Sequence, residues 1–317
     1  MNAHNPSPKL ILVVPLVVGL ILTLFAWPSA RLEPRDLPIG VAGPAPAAQA
    51  VEQRLATQDG AFDVHRYADE AAAREAIEDR EVYGAWVVTP AGPKVLTSSA
   101  GSSIVAQLLT HAASEGKAEV VDVAPASQHA AALPSSVLPL MIAGILIGVV
   151  SSLAASGWLG RLGLIAVGSV LGGLVATAIV QSWLDVVGGS WIANAGALTL
   201  TIAAIASIIA GLRAAFGDGG VAAGALLMIL IGNPFSGVAS APEMLPQPVG
   251  GIGQLMPPGA GGNLLRSTGF FDGAAAGGHV LVLAAWAVAG IALLVAGGLR
   301  PLRAAVPGRA STAAIRG

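Results

Sequence analysis

Histidine and serine are the residue types that could give this chain metal or nucleophilic chemistry. Its histidines (His4, His65, His111, His129 and His279) are scattered without the spacing of a metal site. Its clustered serines (Ser98, Ser99, Ser102 and Ser103) have no base paired with them in sequence and fit the start of a helix. We therefore predict no catalytic residues, no metal site and no enzyme activity.

Two glycine-containing stretches resemble phosphate-binding loops only in part. Gly116-Lys117 lacks the upstream glycine and the following Ser or Thr of a Walker A loop. The stretch from Gly250 to Gly253 neither follows a strand nor opens a regular helix, as a dinucleotide-binding loop does. We predict no bound cofactor, and any ATP must be hydrolysed by another chain.

The composition is that of a membrane protein. Hydrophobic residues make up 54% of the chain and charged residues 11%, against about a quarter charged in soluble proteins. Six apolar runs occur: Leu10–Ala26, Val137–Leu153, Leu162–Leu184, Ile192–Leu212, Gly219–Gly232 and Val280–Leu299. We predict a polytopic α-helical membrane protein with six transmembrane helices. A net charge of −2 offers no basic surface for nucleic acid.

The charged residues are concentrated in one segment after the first run. Fourteen of the 18 acidic residues lie between Arg31 and Asp122. Alternating strand-like and helix-like patterns there predict the order βαβαββαβ, beginning with a strand at Leu37–Ala42. We predict an α/β domain over residues 31–134, inserted between transmembrane helices 1 and 2, and a five-helix domain over 135–300.

Lysine and arginine near the runs predict the orientation. Most of them fall on one side if the N-terminus is cytoplasmic: Lys9, Arg161, Arg213, Arg300, Arg303, Arg309 and Arg316. We therefore expect both termini in the cytoplasm, including the tail 301–317, and the α/β domain outside the cell membrane. The first run is either a retained helix (1–30) or a cleaved signal peptide; its length favours the helix.

The segment 233–278 differs from an ordinary exposed loop. Between Asn233 and Gly278 its only charged residues are Glu243, Arg266 and Asp272, and its prolines forbid one continuous helix. The run before it is about 21 Å long, short of the roughly 30 Å hydrocarbon core. We predict a buried re-entrant element, with Pro257-Pro258-Gly259 as its turn and Asp272 near the start of the last helix. The alternative is a plain external loop.

The order of these segments resembles the ABC-2-type transporter permeases, in the branch of the phage-infection-protein-like membrane proteins. The residues that carry the resemblance include Gly232-Asn233-Pro234-Phe235-Ser236-Gly237, Leu255-Met256-Pro257-Pro258-Gly259-Ala260 and Phe270-Phe271-Asp272-Gly273. The α/β domain adds Leu37–Ala42 and Ala72–Ile77. The resemblance implies a permease subunit that dimerises in the lipid bilayer and exports a substrate with a separate cytoplasmic ABC ATPase.

Two other functions stay open. The predicted inner connections, near Arg161 and Arg213, are only a few residues long and leave an ATPase little surface. A non-transporting scaffold or sensor that displays the α/β domain to an envelope partner is therefore the main alternative, and a membrane-embedded enzyme is a weaker one. Glycines four apart, Gly144/Gly148 and Gly168/Gly172, fit either a homodimer face or packing within the chain.

Overall fold

The structure is a computed structural model that describes residues 8–304, with side chains for 13–299. The structure does not describe His4, Arg309, Arg316 and the end of the tail, so our predictions for them fall outside the described residues. The chain folds into a small mixed sheet with flanking helices, followed by a bundle of long apolar helices. A helix of 23 residues, α1 (Pro8–Ala30), precedes both.

The α/β domain contains every strand and helix expected from its sequence. The strands are β1 (Leu37–Ala42), β2 (Phe62–Tyr67), β3 (Gly84–Thr89), β4 (Gly92–Thr97) and β5 (Glu119–Asp122). The helices are α2 (Ala45–Ala56), α3 (Glu70–Glu78) and α4 (Ser103–Glu115). The sheet order is β2-β1-β3-β4-β5, and all pairs are parallel except β3–β4. The predicted order βαβαββαβ is thus confirmed.

Local sequence signals explain these elements. The side chain of Asp69 caps the start of α3 by accepting a hydrogen bond from the backbone amide of Ala72. The side chain of Ser102 caps the start of α4 in the same way, by accepting a hydrogen bond from the backbone amide of Val105. Helices α2 and α4 cover one face of the sheet and α3 covers the other. The two faces therefore bury separate apolar cores, as a sheet with helices on both sides requires.

Within the part of the chain that the structure describes, five helices are long and apolar enough to cross a membrane, not the six that we predicted. They span Val13–Ala30, Ala130–Ala154, Trp158–Trp183, Trp191–Phe216 and Ala276–Leu299. The remaining run forms α8 (Asp218–Leu227), which a π-helical turn extends only to Gly232. Hydropathy identified the run correctly, but its helix is too short to count as a span.

Helix α7 (Trp191–Phe216) forms the centre of the bundle. It packs against α5 (Leu133–Ala154), α6 (Trp158–Thr177) and α11 (Ala276–Ala304). A Cβ at Gly144 would lie 2.7 Å from the Cβ of Ile205, and a Cβ at Gly148 would lie 2.7 Å from a backbone oxygen of α7. These glycines therefore allow close packing of helices within the chain, which is the interpretation that we set against a homodimer face.

Candidate functional site

The segment between α8 and α11 folds into a buried helical hairpin. It consists of α9 (Val249–Gln254) and α10 (Pro257–Phe270), joined by a turn at Leu255-Met256. Twelve of the 14 residues of α10 are buried, because α10 packs between α7 and α11. The indole nitrogen of Trp286, on α11, donates a 2.8 Å hydrogen bond to the carbonyl of Leu255 and fixes the turn.

Glycines bring the backbones of this hairpin into direct contact. A Cβ at Gly253 would lie 1.6 Å from the carbonyl oxygen of Phe235. A Cβ at Gly259 would lie 2.2 Å from the carbonyl oxygen of Gly253. Neither position has room for a side chain, so α9 is held tightly between the segment before it and the first turn of α10.

The structure corrects two details of the predicted motif. Pro257, Pro258 and Gly259 do not form the turn; they are the first residues of α10, where prolines are tolerated because no helical N–H is needed. Gly259 is helical and is required by the close backbone contact, not by an unusual backbone angle. Asp272 is exposed in the turn after α10 and precedes the first residue of α11, Ala276, by four positions.

The other predicted residues lie on the path from α8 to α9. Asn233 ends the π-helical turn of α8, and its amide donates to the carbonyl of Met228. Pro234 follows it and is half-buried. Gly237 has φ +65°, and a Cβ there would lie 2.9 Å from the nitrogen of Pro242. A tight turn at Gly237 therefore needs glycine.

A polar network joins the hairpin to the α/β domain. Arg80, just after α3, donates to the carbonyl of Asn263 at 3.1 Å and to the hydroxyl of Ser267. Its guanidinium also lies 5.3 Å from the centre of the Phe271 ring. Arg266 donates to the Asn263 side-chain oxygen at 2.9 Å and to the carbonyl of Val238 at 2.7 Å. Asn263 thus connects two arginines from different parts of the chain.

A second contact lies beside this network. The hydroxyl of Tyr83 donates a 2.9 Å hydrogen bond to the carboxylate of Glu243. Arg35 donates to the carbonyl of Met244 at 3.0 Å, and the side chain of Met244 enters the core beneath α2 and α4. The α/β domain therefore rests on the segment that leads into the hairpin.

The two buried arginines form no ion pair with a described residue, although Glu243 favours the charged form of Arg80 electrostatically. Among the described side chains, no carboxylate lies within ion-pair distance of Arg80 or Arg266. Burial lowers the pKa of the Arg80 guanidinium. Arg266 is charged at neutral pH, because arginine side chains in proteins stay protonated. Burial raises the pKa of Tyr83, which stays a neutral donor to Glu243.

Sequence reasoning missed the long-range contacts of Arg80, Tyr83 and Asn263. Their contacts join positions more than 150 residues apart, and no local pattern reports such a contact. Arg266 did carry a signal, because it is the only basic residue between Asn233 and Gly278. A lone charge in a buried apolar segment usually has a specific role.

Residues 10–132 match the family described as ABC-2 family transporter protein. This match confirms the resemblance to the ABC-2-type permeases. It covers less than half of the chain: α1 and nearly all of the α/β domain, but not the hairpin. No curated protein and no solved structure matches the chain. Together with the five span-length helices, the match supports a multi-pass membrane protein with a permease-like role.

Proposed function

We propose that this chain is the membrane subunit of an ABC-2-type exporter in the plasma membrane, acting with a separate cytoplasmic ATPase. The family match over residues 10–132 carries the proposal, because that family is one of transporters. Both termini would be cytoplasmic and the α/β domain extracytoplasmic, following the lysine and arginine bias. A homodimeric assembly belongs to this proposal as well.

In this arrangement the hairpin is a re-entrant element that closes the outer end of the bundle. Irregular backbone at membrane depth is tolerated only where protein covers it, and α10 is covered on nearly all sides. The α/β domain, docked through Arg80 and Tyr83, would move together with this closure. A shift of the bundle would then be transmitted outward without any chemistry at the site.

The test is the recovery of an ABC ATPase with the full-length chain. We expect an ATPase to co-purify in stoichiometric amount with tagged protein from its native membrane in mild detergent. Phe216, 69% exposed at the proposed inner end of α7, is a candidate contact. Phe216→Ala should reduce the recovered ATPase, whereas Trp183→Ala, 77% exposed at the proposed outer end, should not. Recovery of the intact chain without any ATPase, even after cross-linking, would contradict the proposal.

Two observations favour the scaffold or sensor as a second candidate. Only three residues separate α5 from α6, and Gly217 alone separates α7 from α8, which leaves little surface for an ATPase. The α/β domain also contains a cleft of about 760 Å³ between α2 and α4, over the indole of Trp86. Clefts of this size commonly bind small molecules. Intact chain that purifies without an ATPase would favour this candidate.

A further inference from the structure

A cavity of about 280 Å³ lies where the hairpin, the α/β domain and the start of α5 meet. Arg266 forms part of its wall, opposite the first residues of α4 and the linker at Ser127. The side chains of Ser99, Ser103 and Ser240 also face it. Its polar wall therefore consists of one guanidinium, the amide of Gln128 and several hydroxyls, and no carboxylate of the described residues lines it.

The charge of Arg266 is uncompensated by the described residues. Its side chain is buried, with 6% of its surface exposed, and its two acceptors are a neutral carbonyl and a neutral amide oxygen. Arg80, a second positive charge, approaches the same amide oxygen. A buried charge without a counter-charge is costly, which favours an anion from outside the chain.

The surroundings of Arg266 also suit an anion. Helix α4 begins at Ser103, and the N–H groups of a helix N-terminus attract negative charge. The nearby carboxylate of Asp122 does not compensate Arg266, because it is exposed and accepts hydrogen bonds from the amide and hydroxyl of Ser99 at 3.1 and 2.5 Å. The hydroxyls of Ser99, Ser127 and Ser240 already donate to Asp122 and to backbone carbonyls, so Arg266 is the main donor for an anion. An arginine guanidinium is a common donor to phosphate and carboxylate groups.

A second cavity, of about 230 Å³, shares a wall with the first. Both are lined by Pro134, Val238, Ala239 and Ser240. The second is mainly apolar and extends to α1, with Phe25, Leu32 and Ile104 in its wall. Most side chains of α1 are exposed in the isolated chain and would face lipid in a membrane. A cavity with a guanidinium in its wall thus adjoins a cavity that reaches α1 at the lipid-facing side of the bundle.

We infer that the two cavities bind one amphiphile, with its anionic head group at Arg266 and its apolar chain along α1. A phosphate or a carboxylate fits the donors of the first cavity, and an acyl chain fits the second. The inference rests on the membrane placement proposed above, but it does not depend on transport or on an ATPase. Failure to recover an ATPase therefore leaves it intact.

The experiment compares three probes on the full-length protein in a neutral detergent, with binding measured by native mass spectrometry. Dioctanoyl phosphatidate carries head and tail, dioctanoylglycerol carries the tail alone, and inorganic phosphate carries the head alone. We expect one phosphatidate per chain, bound at least tenfold more tightly than either other probe. Arg266→Gln should weaken phosphatidate binding at least tenfold, and Arg66→Gln, a control on the exposed surface of the edge strand β2, should not change it.

A second variant tests the inference even if Arg266→Gln does not fold. Ala239 is exposed and lines both cavities, so Ala239→Trp should fill the passage between them while Arg266 keeps its hydrogen bonds. We expect the same tenfold loss of phosphatidate binding with an unchanged thermal unfolding midpoint.

Three results would overturn the inference. Inorganic phosphate bound as tightly as phosphatidate would indicate a site for a free anion. Dioctanoylglycerol bound as tightly as phosphatidate would indicate a site for apolar chains alone. Phosphatidate affinity that is unchanged in Ala239→Trp, or in a folded Arg266→Gln, would place the binding elsewhere.

Discussion

The contact between Gly253 and Phe235 predicts that one methyl group added at Gly253 lowers the stability of the protein strongly. In Gly253→Ala the new Cβ would lie 1.6 Å from the carbonyl oxygen and 2.4 Å from the carbonyl carbon of Phe235. The two backbone segments would have to separate, which costs about 1–3 kcal/mol as overpacking. Separation also threatens the 2.8 Å hydrogen bond from Gln254 to the Ser236 carbonyl, worth about 1 kcal/mol.

A control two residues away isolates this contact. Gly251 lies on the same short helix, and the nearest atom to a Cβ there is 4.0 Å away. Gly251→Ala should be neutral or stabilising by up to about 1 kcal/mol, because alanine favours helix more than glycine does. We expect the variants to differ by about 3 kcal/mol, or roughly 6–12 °C in midpoint, in thermal unfolding of the detergent-solubilised protein. Equal midpoints would show that the close backbone contact does not exist.

Three further predictions concern orientation and the α/β domain. Alkaline phosphatase fused after Gly101 should be active and one fused after Arg303 inactive; the reverse would contradict the orientation. Residues 31–130 alone should unfold cooperatively in circular dichroism, because both apolar cores lie largely within them; a disordered spectrum would show that the bundle is needed. Tyr83→Phe should destabilise the full chain by about 1.5 kcal/mol but not the isolated domain, which lacks Glu243; equal effects on both would refute this contact.

The sequence predicted the α/β domain well because its signals are local. Strand β1 matches the predicted range Leu37–Ala42, since it is an apolar run bounded by turn residues. The span count was too high by one because we counted an apolar run as a span although its length, about 21 Å, is short of the hydrocarbon core. The run Gly219–Gly232 is apolar, yet its helix starts at Asp218 and ends at the break before Pro234.

The hairpin was predicted in outline but not in detail. Low charge indicated its burial, and its prolines indicated broken helices. The position of the turn was wrong because a proline pair can begin a helix as well as interrupt one, and Pro257-Pro258 begins α10. The network between Arg80 and Asn263 could not be predicted, because it depends on how the α/β domain rests on the bundle.

Whether the hairpin enters the membrane is most directly measured by labelling single cysteines in intact membranes with an impermeant thiol reagent. The chain has no cysteine of its own. Leu255, at the turn, is 63% exposed on the isolated protein, and its partner Trp286 lies about 15 Å along α11, near the middle of a roughly 30 Å hydrocarbon core. Gln247 is exposed before α9 and is the control. We predict that Leu255→Cys reacts at least tenfold more slowly than Gln247→Cys; equal rates would show that the hairpin lies outside the membrane.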